Sequence, residues 1–199
     1  MSRLGWIILA AIVVVAGLFL SLVSFGPAPD GGVRQRVRQA LPFHRERAVA
    51  GPGGLVIPVA GYPEGALRDS WGDARGGGTR AHHGTDLMAA GGTPVIAAAA
   101  GVVEKLHQSG DGGTTLYVRS PDGRWSYYYA HLAGYAPGIV EGRRVRAGDP
   151  LGYVGDTGNA GAGNTHLHFG VSRMAPGDRW WSGEPVDPYP LLAGRPPRR

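Results

Sequence analysis

Thr165-His166-Leu167-His168-Phe169 is the stretch on which the reading of this chain turns. Along a β-strand successive side chains point to opposite faces, so residues two apart share a face. A strand here puts both imidazoles on one side and sends Leu167 the other way, into a core. Imidazole is the commonest metal-binding side chain and titrates near neutral pH, so two on one face suggest a metal site with proton chemistry attached. A lone His-x-His triplet would carry little weight. The neighbouring runs and the other histidines supply it.

Working outward, the same pattern of short apolar runs punctuated by glycine recurs from Leu55 onward. The runs are Leu55 to Ile57, Val95 to Ala97, Gly101 to Val103, Leu116 to Val118, Trp125 to Tyr129, Leu151 to Val154 and Leu167 to Val171. Glycine accounts for 35 of 199 residues, against a usual level of about 7%, and it has no three-residue period. Such spacing predicts tight turns between strands and an all-β fold, an antiparallel sheet of barrel-sandwich type. Asp122-Gly123 is a hairpin signal between two of the runs. No long helical period follows residue 25, and Pro185, Pro188 and Pro190 are expected to break up the end of the domain.

Ahead of this body the chain changes character. Between Arg3 and Asp30 no residue is charged, and Leu4 to Phe25 is apolar apart from two glycines and two serines. A helix rising about 1.5 Å per residue over that length crosses a hydrocarbon core of roughly 30 Å. Ser24-Phe25-Gly26 is a weak cleavage signal because Pro27 follows it, so residues 1–25 are expected to form an uncleaved membrane anchor. Residues 26–54, rich in Pro, Gly and Arg, read as a tether, residues 55–190 as the folded domain and 191–199 as a basic tail. Five arginines lie between Arg34 and Arg47, and Arg198 and Arg199 end the chain, so much of the formal charge of +5 sits outside the glycine-rich body. That placement fits a polyanionic surface such as lipid headgroups or an acidic wall polymer, and argues against nucleic acid as a partner.

The chain has no cysteine, so a metal must be held by His, Asp or Glu. Of its seven histidines, His44 lies in the tether and His107 on an expected loop, both read as solvated. The other five fall in three glycine-flanked motifs: Arg80-Ala81-His82-His83-Gly84-Thr85-Asp86, Tyr129-Ala130-His131-Leu132, and the opening pair after Gly161-Ala162-Gly163-Asn164. His82 and Asp86 offer one nitrogen and one carboxylate oxygen, and Gly84 favours a loop entering a strand over a helix. Two histidines and one aspartate make a plausible zinc triad, with a fourth position left for water. His83 reads as a groove or surface residue. Tyr127, Tyr128 and Tyr129 alternate across their strand, so one face lines a groove while the other packs.

With these motifs in order, the chain resembles the LytM/lysostaphin-type zinc endopeptidases that cleave peptide cross-links of bacterial cell walls. The resemblance covers roughly Val56 to Val171 and rests on HxGxD at His82 to Asp86, Gly92-Thr93-Pro94-Val95 with Ala98 to Gly101, YxHL at Tyr129 to Leu132, and HLHF at His166 to Phe169. It implies that His82, Asp86 and His168 ligate Zn2+ and that His131 and His166 are catalytic without being ligands. It implies a zinc-activated water as nucleophile, with His166 or His131 handling its proton. Peptidoglycan stem peptides become the expected substrate, which places the domain outside the cytoplasmic membrane. The charge rule alone, comparing Arg3 with Arg34, Arg36 and Arg38, would point inward, although large domains are translocated regardless of it. Two other readings stand beside the enzyme. One is a non-catalytic peptidoglycan-binding or hydrolase-activating module of the same fold. The other is a carrier or nucleic-acid-binding β domain, suggested by the lipoyl-carrier likeness of Glu141 to Gly152 and by the charge, but lacking the carrier's lysine and with its basic residues largely in the tails.

Overall fold

A computed structural model of the chain describes residues 54–194. The expected anchor, its tether up to residue 53 with His44, and residues 195–199 lie outside the described residues. Among the described residues, no helix is long and apolar enough to cross a membrane.

The described part is an antiparallel β structure, as its alternation predicts. A small ladder pairs β1 (Ala74–Arg75) with β2 (Arg80–Ala81). The main sheet contains β3 (Thr85–Met88), β4 (Pro94–Ile96), β5 (Gly101–Ser109), β6 (Gly113–Arg119), β7 (Trp125–Tyr135), β8 (Arg144–Val145), β9 (Pro150–Val154), β10 (His166–Arg173) and β11 (Glu184–Val186). Its main path runs β11-β10-β7-β6-β5-β8, while β3 pairs with β10 and β9 joins β4 to β7. The strand β10 holds the centre: β7 flanks one edge, while β3 and then β11 flank the other. Consecutive strands β5, β6 and β7 are joined by hairpins, and the Asp122-Gly123 turn forms as expected, with Gly123 at φ 73° donating its N–H to the Ser120 carbonyl at 3.0 Å.

The core collects alternate residues of these strands. Leu87, Val95, Val103, Leu116, Val118, Tyr129, Leu132, Leu151, Val154, Leu167 and Phe169 are all fully buried. Tyr129 and Phe169 meet with ring centroids 5.3 Å apart, and the Tyr129 hydroxyl accepts the Ala98 N–H at 2.9 Å. Leu167 and Phe169 thus lie on the face opposite the histidines, as the alternation required.

Three expectations need correction. Leu55 to Ile57 is buried but forms no ladder; Val56 makes a single bridge contact, donating its N–H to the Ala98 carbonyl, and an isolated bridge between Val59 and Val95 continues the pairing beside β4. His107 lies on β5, not on a loop, half-buried with its ring 5.0 Å from Trp180. The strand continues past the apolar run because Glu104 and Lys105 find partners across the sheet: Glu104 takes a two-pronged bond from Arg119 and Lys105 pairs with Glu141 at 2.9 Å. The proline-rich end contains a short helix, α1 (Pro188–Leu192), with Asp187 capping Tyr189 N–H. Pro188 and Pro190 sit in its first turn, where a missing N–H costs no intrahelical bond.

Candidate metal centre

Four imidazoles and one carboxylate converge where β3, β7 and β10 meet. His82 is on the segment between β2 and β3, Asp86 on β3, His131 on β7, and His166 and His168 on β10. Antiparallel pairing sets Asp86 directly opposite His168, and in such pairs facing side chains lie on the same side. Gly84 makes the approach possible: a Cβ there would lie 2.5 Å from His168 Cε1 and 2.8 Å from the Phe169 carbonyl oxygen.

His82 Nε2, His168 Nδ1 and Asp86 Oδ1 form a triangle with edges of 2.8, 3.0 and 3.1 Å. A tetrahedral zinc ion with bonds of about 2.1 Å keeps its ligand atoms about 3.4 Å apart, so a small expansion of this triangle accommodates one. The chemistry of the donors agrees. The His82 Nδ1–H donates to the Ser70 carbonyl at 2.6 Å, which leaves Nε2 of the neutral ring as a lone pair aimed at the other two atoms. Burial disfavours the Asp86 anion, but the His168 and His82 rings beside it outweigh that and hold the carboxyl well below the ordinary range. Burial pushes the His168 imidazolium the other way, lowering its pKa despite the bond to Asp86. An anionic oxygen beside neutral imidazole nitrogen is the combination that zinc takes.

His131 and His166 stand beside this group, with ring centroids 4.8 Å apart. Each donates its Nδ1–H to a carbonyl, His131 to Thr157 and His166 to Asn164, both at 2.8 Å. The His166 Nε2 lies 3.9 Å from Asp86 Oδ1, and the His131 ring 6.0 Å from that of His168. Burial lowers the His131 pKa. His131 is the one non-glycine residue with a left-handed backbone among the described residues, at φ 59°. The cause is a bulge: Leu116 faces Tyr129 while Thr114 faces Leu132, so Ala130 and His131 together oppose one residue of β6. Plain alternation would have turned His131 to the core with Tyr129. The bulge gives that place to Leu132 and turns the imidazole toward His166.

Further aromatic side chains lie beside this group. His83 is exposed with its ring 5.3 Å from Trp71. Of the three tyrosines, Tyr127 and Tyr129 are buried, while Tyr128 faces the other way with its ring 5.7 Å from His168 and 4.6 Å from Tyr117. Thr165 bonds the Ala89 carbonyl at 2.8 Å and Asn164 the Ala160 carbonyl at 2.9 Å, which are turn-holding roles. One participant had no motif to announce it. Arg75 on β1 donates from Nη2 to Asp86 Oδ2 at 2.5 Å.

The model of peptidase family M23 matches residues 80–188. The chain belongs to peptidase family M23. This places it with the LytM/lysostaphin-type peptidases, whose metal is zinc, and among the described residues His82, Asp86 and His168 form a group that could hold such an ion. The chain is 41% identical to the L-Ala–D-Glu endopeptidase of Bacillus subtilis, over 69% of this chain and 42% of that protein. It is 34% identical to the DD-carboxypeptidase/endopeptidase Mpg of Neisseria meningitidis, over 59% of this chain and 24% of that protein. It therefore spans less than half the length of either relative. Among solved structures, the catalytic domain of the antimicrobial peptidase lysostaphin from Staphylococcus simulans superposes with a TM-score of 0.54 at 29% identity, covering 63% of this chain and 90% of that one.

Proposed function

We propose that this M23 protein is a zinc metalloendopeptidase that hydrolyses peptide bonds of peptidoglycan stem peptides, held at the cytoplasmic membrane by residues 1–25 with its domain outside the cytoplasm. The observation that carries the reading is the convergence of His82, Asp86 and His168 on one point, with two further histidines beside it. Relatives named as an L-Ala–D-Glu endopeptidase and a DD-carboxypeptidase/endopeptidase support the substrate class. The non-catalytic alternative fits chains that have lost ligands, and this chain keeps all three.

In this reading His82, Asp86 and His168 hold zinc, which when bound supplies a Lewis acid for the scissile carbonyl and lowers the pKa of water. His131 and His166 do the proton work. Their Nδ1–H groups are tied to backbone carbonyls, so each neutral ring has its Nε2 lone pair available to accept a proton and later return it to the leaving amine. The lowered pKa of His131 keeps that ring in its accepting form near neutral pH. Tyr128, beside His168, and the exposed His83, beside His82, are placed to contact a bound peptide.

The test is zinc analysis and peptidoglycan digestion with the full chain, before and after chelation. One equivalent of zinc and release of stem-peptide fragments are expected; chelation abolishes release and added zinc restores it. A protein that takes up no zinc and releases no peptide would overturn the reading in favour of the binding module.

A further inference from the structure

The β1–β2 hairpin contains an arrangement that stability does not explain. Arg75 and Arg80 are direct cross-strand partners in its two-residue ladder, and like charges facing each other across a ladder are destabilising. Every residue from Gly72 to Ala81 is exposed, so no apolar packing offsets that cost. Each arginine has one carboxylate partner. Arg75 Nη2 bonds Asp86 Oδ2, and Arg80 Nη1 bonds Asp111 at 3.0 Å. Their side chains remain 42% and 52% exposed, and a solvent-exposed pair such as Arg80–Asp111 contributes little to stability.

Position distinguishes this pair from ordinary surface arginines. Arg75 reaches the same carboxylate whose other oxygen belongs to the metal donor triangle. Arg80 reaches Asp111 on the turn between β5 and β6. Asp111 also accepts a bond from Asn159 Nδ2 at 3.0 Å, and the carbonyl of the following Gly112 accepts the His131 N–H at 2.8 Å. The two guanidinium groups thus run from the metal donors to the rim beside His131. Each uses one terminal nitrogen, and an arginine has five N–H donors arranged to take a carboxylate in two-pronged fashion. A cation held by Asp86 would also draw on the negative charge that Arg75 now faces, leaving the hairpin more attractive to an added anion.

We propose that Arg75 and Arg80 form a carboxylate-binding subsite that selects peptides bearing a free carboxylate beside the bond presented to the metal donors. The subsite deepens the peptidase reading above and rests on it for the identity of the substrate. Arg75 serves Asp86 and substrate together; Arg80 touches no donor, so its substitution separates recognition from metal binding.

The test uses the zinc-loaded full chain and two stem peptides containing L-Ala–D-Glu, one with the glutamate carboxylate free and one with it converted to the carboxamide. Both kcat/KM and, in a His166→Ala background, the calorimetric Kd are measured. The free carboxylate is expected to be preferred by about tenfold or more in each, and the preference to fall to near unity in Arg80→Gln with zinc content unchanged. Arg75→Gln should lose the same preference. Equal values for the two peptides in the unsubstituted chain, or a preference surviving in both glutamine variants, would overturn the subsite while leaving the peptidase reading intact. If neither peptide is hydrolysed, the peptidase reading fails instead, and the two Kd values still decide whether the hairpin recognises a carboxylate.

Discussion

β10 and the β1–β2 hairpin both reach the metal donors, and they are built in opposite ways. β10 is paired on both edges, carries His166 and His168 on one face and buries Leu167 and Phe169 completely on the other. The hairpin buries nothing, turns through three consecutive glycines with positive φ, and reaches Asp86 and Asp111 through ion pairs while its base bonds the His82 backbone. The difference separates two tasks. A ligand must be held to within a fraction of an ångström, which a packed strand achieves because every second residue locks it. A group that recognises a substrate has to exchange partners with it, which an exposed arginine does at little cost.

If that division holds, substitutions on β10 should be severe and those on the hairpin graded. His168→Ala should have the largest effect: zinc is lost and peptidoglycan digestion falls to background, read by metal analysis and fragment release. His166→Ala should keep its zinc while kcat drops by about 10²–10⁴; loss of the metal as well would make it a ligand and redraw the centre. Phe169→Ala, on the buried face of the same strand, should cost about 3–5 kcal/mol in chemical denaturation. On the hairpin, Arg75→Gln should weaken zinc binding by about 10–100-fold, since it frees the outer oxygen of Asp86, with little change in the unfolding midpoint. A collapse of stability in that variant would break the comparison, because it would make the hairpin part of the scaffold.

Much of the framework was legible in the residues. Alternation at Leu167 and Phe169 against His166 and His168 is a local property of a strand, and the structure keeps it. Glycine punctuation announced the hairpins, and Gly84 announced a loop entering β3. His107 reads as a loop residue because Glu104 and Lys105 interrupt the apolar run, and their partners Arg119 and Glu141, with which the strand continues, are 15 and 36 positions away. The bulge at His131 has a local signature in the sequence. Tyr129 and Leu132 are both large and apolar yet three apart, a spacing that unbroken alternation cannot bury on one face.

By itself the sequence determined which side chains were available to the centre, the absence of any thiol donor, and the face of each strand on which the key residues fall, because composition and period-two alternation are local. The register of β3 against β10 that sets Asp86 opposite His168, the left-handed turn of His131, and the reach of Arg75 and Arg80 to carboxylates 11 and 31 residues away were decided by tertiary structure alone. Each depends on how distant strands pair, and no spacing along the chain encodes a distance across a sheet.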